Sequence, residues 1–383
     1  MNLAGWHLRC LIGIPLFLFI EQISAQTRTG YDPNYARLMF YFSAGAYSPT
    51  PGDCVNETSR ISGQSFQLYS TAPGDYECDS NSNTCAFYVA VSPTARQIVI
   101  VFRGTKSKKQ LFHETLQSLQ PNVDFYGLGK VNRYFFRALS AMWEPTATIL
   151  NDPRYQGFTV SFTGHSLGGA LAALASMRTV LERLRDSSQI RLYTFGEPRV
   201  GNHKFAVEHD RLVPYSFRVI NRNDIVPHLP LCHFSDSTDP INDDVVVDQN
   251  NPRPVQPEEI RSSSTDDNDF NFSDALKKPC DGDPTRKAYH HGTEIWYPDG
   301  MVAEDTFREC TGEPKNEDHT CSNGVHLVNG WPTLQRYIND HTHYFGEKVS
   351  SFGKAGCKLT EVIPQPVHQS GQGKQYLHLI KGY

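Results

Sequence analysis

Residues 158–185 read FTVSFTGHSLGGALAALASMRTVLERLR, and the two halves of that stretch follow different rules. FTVSFTG, 158–164, is short and rich in β-branched and aromatic residues, the composition of a buried strand. LGGALAALASMRTVLERLR, 167–185, is dominated by Ala, Leu, Met and Arg, the strong helix formers. Between them stands Gly164-His165-Ser166-Leu167-Gly168, a G-x-S-x-G motif. A lone match of this kind has many accidental occurrences. Here it falls between a strand and a helix, which is the setting its chemistry requires. A serine on a sharp strand-to-helix turn projects its hydroxyl above the sheet, and the flanking glycines let strand and helix approach closely. The helix N-terminus behind the serine also favours developing negative charge.

Outward from this unit, the same alternation recurs. AFYVAV (86–91) and QIVIVF (97–102) read as strands separated by a Ser-Pro turn, and 131–150 reads as a long helix. Downstream, IRLYTFG (190–196) and YSFRVI (215–220) are strand-like, with a helix near 202–208 between them, and strand character resumes within 289–300. Short apolar strands alternating with helices predict an α/β fold, a mostly parallel sheet covered on both faces.

The flanking segments have other physics. Residues 1–25 carry Arg9, then an apolar run from Cys10 to Ile20, then small residues at Ser24 and Ala25. Eleven apolar residues are too few to span a bilayer, so the pattern reads as a cleaved export signal ending at Ala25. Removing it takes Cys10 and leaves eight of nine cysteines: Cys54, Cys78, Cys85, Cys232, Cys280, Cys310, Cys321 and Cys357. An even set in an exported chain predicts disulfides. Segment 235–283 holds thirteen acidic and four basic residues, a net −9 against −5 for the whole chain, so the remainder sums to +4. Its five prolines and few apolar residues predict a surface insertion, with Cys232 and Cys280 placed to staple its base. Two sequons, Asn56-Glu57-Thr58 and Asn271-Phe272-Ser273, lie in polar, loop-like sequence.

With 39% hydrophobic and 20% charged residues, the 383-residue chain is suited to a sizeable core, which excludes wholesale disorder. Its 52 Gly and Pro residues show no collagen period. The mild acidity gives no sign of a nucleic-acid-binding surface.

A serine nucleophile needs a base, and the base needs an orienting acid. Asp224 follows the 215–220 strand at the sheet edge where such folds place catalytic groups. With 15 histidines in the chain, spacing alone leaves the base open among His228, His233, His290, His291, His341 and His343.

Residues 35–357 resemble the class 3, or fungal-type, lipase family of α/β-hydrolases, and in particular its nematode secreted branch. Six stations carry the resemblance in family order: IVFRGT ending at Thr105, GHSLGGA at 164, LYTFGEPRVGN at 192, NRNDIVPHLP at 221, HHGTEIWYP at 290 and DHTHYFG at 340. The resemblance implies an α/β-hydrolase domain over 26–357, with 358–383 as a tail. It implies Ser166 as nucleophile, Asp224 as orienting acid and His341, not His343, as base. It also implies an oxyanion hole from Thr105 and Leu167, and an amphipathic lid over 106–119 that contacts a lipid–water interface. The family-like cysteine placement implies pairs Cys54–Cys357 and Cys310–Cys321, with Cys78–Cys85 and Cys232–Cys280 completing the set.

The expectation is a secreted serine carboxylester hydrolase needing no metal or organic cofactor, acting on triacylglycerol or another glycerolipid. A soluble-ester or feruloyl-type esterase, a phospholipase A1-like enzyme and a non-catalytic secreted scaffold are its alternatives. No nucleic-acid partner and no transmembrane segment are expected.

Overall fold

The computed structural model describes residues 29–77, 84–105, 122–232, 280–301, 306–324 and 331–358. The expected leader, the 106–119 segment, most of the acidic segment and the tail after 358 lie outside the described residues, as do Cys78, His233 and Asn271.

Two helices open the described chain, α1 (Pro33–Gly45) and α2 (Pro51–Ser62). Strands β1 (Gln67–Glu77), β2 (Thr84–Ser92) and β3 (Gln97–Phe102) follow, and then a small hairpin, β4 (Asn122–Asp124) with β5 (Lys130–Asn132). The central run is α3 (Arg133–Leu150), β6 (Thr159–His165), α4 (Leu167–Leu181), β7 (Ile190–Phe195), α5 (His203–Leu212) and β8 (Ser216–Asn221). The last part holds β9 (Thr293–Tyr297), β10 (Arg308–Cys310), α6 (Trp331–Thr342), the short pair β11 (His343–Tyr344) and β12 (Glu347–Lys348), and α7 (Val349–Lys354).

Eight strands form one sheet in the order β1-β2-β3-β6-β7-β8-β9-β10. Strands β3, β6, β7, β8 and β9 are parallel neighbours, and β1, β2 and β10 add antiparallel edges. Alternation within a strand divides the core into two layers. Ile98, Ile100 and Phe102 of β3 pack with α3 and α4, while Val99 and Val101 join α1, Phe195 and Phe352 on the opposite face. α4 is buried along almost its whole length, with Leu167 through Met177 all in the interior. This is the reason its sequence carries no polar face: it is sandwiched between the sheet and α3.

The expected strands fall at 84–92, 97–102, 159–165, 190–195, 216–221 and 293–297. The expected 131–150 helix begins two residues later, because Lys130–Asn132 pairs as β5 and Asn132 then caps α3 through Tyr134 and Phe135. The first sequon is not in a loop. Asn56 is an exposed residue of α2, whose Pro51 start and Arg60 end outweigh its polar composition.

Three disulfides are formed among the described residues. Cys54–Cys357 joins α2 to the residue run after α7 across 303 positions, which withdraws on the order of 5 kcal/mol of unfolded-chain entropy. Cys310–Cys321 closes a short loop, and Cys85 is also disulfide-bonded. Cys232–Cys280 brings the two ends of the acidic segment to a Cα separation of 5.8 Å. Beside it, Arg199 donates to both oxygens of Glu317 at 2.7 and 2.9 Å, with each side chain almost fully buried. Replacing 233–279 with a three-residue linker is therefore expected to lower stability by less than about 2 kcal/mol, because 5.8 Å is spanned without strain. Urea unfolding of the shortened chain checks this, and loss of a cooperative transition would contradict the insertion reading.

Candidate active site

The 158–185 unit forms the expected elbow. β6 ends at His165, α4 begins at Leu167, and Ser166 between them has φ 60° and ψ −132°. A non-glycine residue there stores about 1–3 kcal/mol of strain, held by the surrounding packing. Ser166 N–H donates to Phe195 O at 2.8 Å, and Gly169 N–H donates to Ser166 O at 2.8 Å, so the turn is fixed from both sides. A Cβ at Gly164 would run into the Gly168 backbone, and one at Gly168 would run into Phe102 O. The glycines are thus spacing elements between β3, β6 and α4. The Ser166 side chain makes no capping hydrogen bond, leaving its hydroxyl available.

The end of β3 passes beside this serine. A Cβ on Gly104 would lie 3.2 Å from Ser166 Cβ and would strike Tyr47 Oη and His165 O. Thr105 follows immediately and is partly buried. Leu167 is the first residue of α4, in the turn whose N–H groups lack intrahelical acceptors. Backbone that follows two neighbouring strands of the sheet, β3 and β6, therefore meets at one serine.

Asp224 comes from the turn after β8 and is fully buried. Its Oδ1 accepts from Val226 N–H at 2.9 Å, and its Oδ2 accepts from Tyr344 Oη–H at 2.6 Å. Both carboxylate oxygens lie 2.9 Å from His341 Nδ1. Burial works to raise the carboxyl pKa, but His341 and the two donors, Tyr344 and Val226, outweigh it and hold Asp224 below the ordinary carboxylate range. An acceptor-only carboxylate at Nδ1 places the histidine proton there, which leaves Nε2 as the basic nitrogen.

His341 sits in the last turn of α6, and its loop is pinned from several directions. Asn221 Nδ2 donates to Asp340 O at 3.1 Å and to His343 O at 2.7 Å. The His341 ring stacks on that of His165, the neighbour of Ser166, at 4.6 Å between centroids. His343 is turned elsewhere, with Nδ1 at 2.8 Å from Asn339 O. His228 is buried, His290 Nε2 donates to Pro227 O at 2.8 Å, and His291 lies 3.4 Å from Glu197 Oε1. Of the described histidines left open by spacing, His341 alone faces Asp224.

Several contributors carry no role in the sequence reading. Tyr344 and Asn221 lie inside quoted motifs, and their contacts depend on long-range folding. Gly196, inside LYTFGEPRVGN, has φ 59°, and a Cβ there would lie 2.5 Å from Asp224 Oδ2 and 2.8 Å from His341 Nδ1. Glu294, Cys310 and Cys321 form the trio of clustered potential metal donors among the described residues, but the two sulfurs are joined to each other.

A sequence profile described as Lipase (class 3) matches residues 99–234. A lipase of Caenorhabditis elegans, ZK262.3, is 39% identical over 342 residues, covering 89% of this chain and 87% of that protein. A lipase of Rhizomucor miehei is 36% identical over 150 residues, 38% of this chain and 41% of that one. The solved structure of a fungal lipase–inhibitor complex matches with TM-score 0.57 at 24% identity, covering 83% of this chain and 95% of the other, and shows the same fold. The chain belongs to the class 3 lipase family, and its fold is that of the α/β-hydrolases. It is a carboxylic ester hydrolase of the lipase class.

Two outcomes follow from the geometry. Gly196→Ala drives a methyl group against the Asp224–His341 contact, and kcat for ester hydrolysis is expected to fall about 100-fold or more. Wild-type kcat in that variant would show that the contact tolerates displacement. The second concerns pH. Burial and neighbouring charges push the pKa of His165 down to about 3, and burial above all pushes His209 and His228 down to about 4. His290 and His291 are also pushed well down, chiefly by burial. Depressed histidines give stability that is complete above about pH 6.5 and lost as pH falls toward their folded values. Glu197, raised to about 7 by burial, and Glu294 and Asp340, also raised chiefly by burial, act in the opposite sense. Five histidines against three carboxyls make acidification destabilising, so the urea midpoint is expected to fall between pH 6.5 and 4.5. A flat midpoint across that interval contradicts the buried neutral histidines.

Proposed function

We propose that the chain is an exported glycerolipid lipase whose chemistry runs through Ser166, His341 and Asp224. The observation that carries this reading is the buried Asp224–His341 contact, its imidazole stacked beside the residue that precedes Ser166. His341 Nε2 takes the Ser166 hydroxyl proton as Oγ attacks the ester carbonyl carbon. The backbone N–H groups of Thr105 and Leu167, with the Thr105 hydroxyl, stabilise the resulting oxyanion. The imidazolium then protonates the departing alcohol, and an acyl-Ser166 ester remains. Water adds by the reverse use of the same groups, giving the free acid and the restored serine. Asp224 holds the Nδ1 proton in place and offsets the imidazolium charge throughout.

The substrate class is supported by relatives. A tobacco triacylglycerol lipase is 47% identical over 88 residues, 21% of this chain and 15% of that protein. A solved structure at 23% identity is described as a triacylglycerol lipase with a serine protease triad. An Arabidopsis phospholipase A1 is 24% identical over 171 residues, which makes the phospholipid arm of any assay worth including. Export is supported by the leader-like 1–25 and by disulfides, which persist in oxidising compartments. No described helix is long and apolar enough to cross a membrane. In the sequence of 106–119, the spacing of Leu111, Phe112, Leu116 and Leu119 is that of an apolar stripe, which supports reading the segment as a lid that meets the lipid surface.

Replacing Ser166 with Ala is expected to reduce ester hydrolysis by about 10⁴-fold or more while leaving the melting temperature nearly unchanged. The companion measurement is a profile over acyl length and headgroup, below and above micelle formation. Preference for long-chain triacylglycerol above the micellar threshold supports the reading. A preference for soluble short esters, for phospholipid, or no turnover at all would each replace it with a different function.

A further inference from the structure

His165 occupies the variable position of the G-x-S-x-G motif, and the reaction just described assigns it nothing. Its side chain is nevertheless buried, 4% exposed, and both ring nitrogens are engaged. Nε2 lies 2.8 Å from His341 O, and Nδ1 lies 2.8 Å from Tyr47 Oη. A carbonyl oxygen only accepts, so Nε2 must carry the proton. Nδ1 must then be the acceptor, and the Tyr47 hydroxyl the donor. One tautomer of neutral imidazole satisfies the whole chain.

The consequence is spatial. Asn221 and Tyr344 hold the His341 loop to the β8 side of the site, through Asp340 O, His343 O and Asp224. His165 holds it to β6, the strand that delivers Ser166. Tyr47 enters from the end of α1, and the place a Gly104 side chain would take is filled by its hydroxyl and by His165 O. The turn leading to Thr105, the strand leading to Ser166 and the backbone of His341 thus meet at one two-bond brace.

We propose that His165 and Tyr47 are positioning residues that fix the His341 backbone relative to Ser166 and present a neutral ring to the base when it becomes an imidazolium. The proposal rests on the triad reading of the preceding subsection. The 4.6 Å centroid separation and 30° interplanar angle let the π face of His165 meet the developing charge. A charged ring there would oppose it. Burial, with the repulsion of His341, keeps His165 neutral, its pKa lowered to about 3, although the hydrogen bond to His341 O and the charge of Asp224 act in the other direction. Tyr344, edge-on at 5.6 Å, and Tyr47, edge-on at 5.9 Å, complete its surroundings without adding charge.

The test compares the purified full chain with His165→Leu, His165→Gln, Tyr47→Phe and Ser166→Ala. Each is measured for kcat and KM on a soluble short-chain ester, for melting temperature, and for the NMR signal of the His341 Nδ1 proton. His165→Leu removes the donor to His341 O and is expected to cost about 10- to 100-fold in kcat with KM nearly unchanged. Its Nδ1 signal should broaden by exchange. His165→Gln restores an N–H donor and should recover most of the lost kcat and the signal. Tyr47→Phe should lower kcat by a smaller factor, about 2- to 10-fold, without a matching fall in melting temperature. Wild-type kcat in His165→Leu, with Ser166→Ala inactive, overturns the brace and leaves the triad standing. Activity in Ser166→Ala removes the triad itself. Equal losses in the Leu and Gln variants, tracked by melting temperature, would show a purely structural residue and overturn the proposal. If His165→Leu does not fold, Tyr47→Phe decides: an unchanged kcat there overturns it, and a reduced kcat at constant melting temperature supports it.

Discussion

Asp224 and His341 are 117 residues apart and meet at 2.9 Å in a fully buried site. Removing a carboxylate from water is costly unless its oxygens are paired, and here Val226 N–H, the Tyr344 hydroxyl and the His341 imidazole pair them. Much of the surrounding architecture follows from making that contact possible. β8 must end in a turn that buries the acid, α6 must end where its last turn faces the acid, and Gly196 must carry no side chain between them. The Cys54–Cys357 bond anchors the segment just beyond the His341 loop to the N-terminal helices.

The same contact orders the chemistry. By fixing the proton on Nδ1, Asp224 leaves the outer nitrogen of His341 unprotonated, which is what the proposed mechanism requires of its base. The strained Ser166 turn places the proposed nucleophile at the C-terminal ends of the parallel strands, next to the β3 turn through Gly104. The proposed site therefore draws on the ends of four neighbouring parallel strands, β3, β6, β7 and β8, plus one helix end.

The elbow was legible because its signal is local: strand formers, a glycine-flanked serine and helix formers adjoin in 28 residues. The strand sequence 97–102 and the β8 strand were legible for the same reason. Asp224 could be singled out from its place after a strand, but the histidine could not be chosen by spacing, since pairing across 117 residues leaves no periodic trace. Resemblance chose His341 over His343, and the fold orients the two oppositely. The brace of Tyr47 and His165, the donor role of Tyr344 and the constraint on Gly196 were hidden because each is a tertiary contact. Asn56 illustrates the reverse error. Its polar neighbours resemble a loop, yet Pro51 and burial of Cys54, Val55 and Thr58 make α2 a helix.

Covalent labelling with a fluorophosphonate, located by peptide mass spectrometry, reads out directly whether Ser166 is activated by His341 and Asp224. Such a reagent reacts with a serine only when a base removes its proton and an oxyanion hole receives the charge. One adduct is expected, on the tryptic peptide containing Ser166, formed rapidly in the wild-type chain and very slowly when His341 or Asp224 is replaced. An adduct on another residue, or labelling of Ser166 at the same rate without His341, would contradict it.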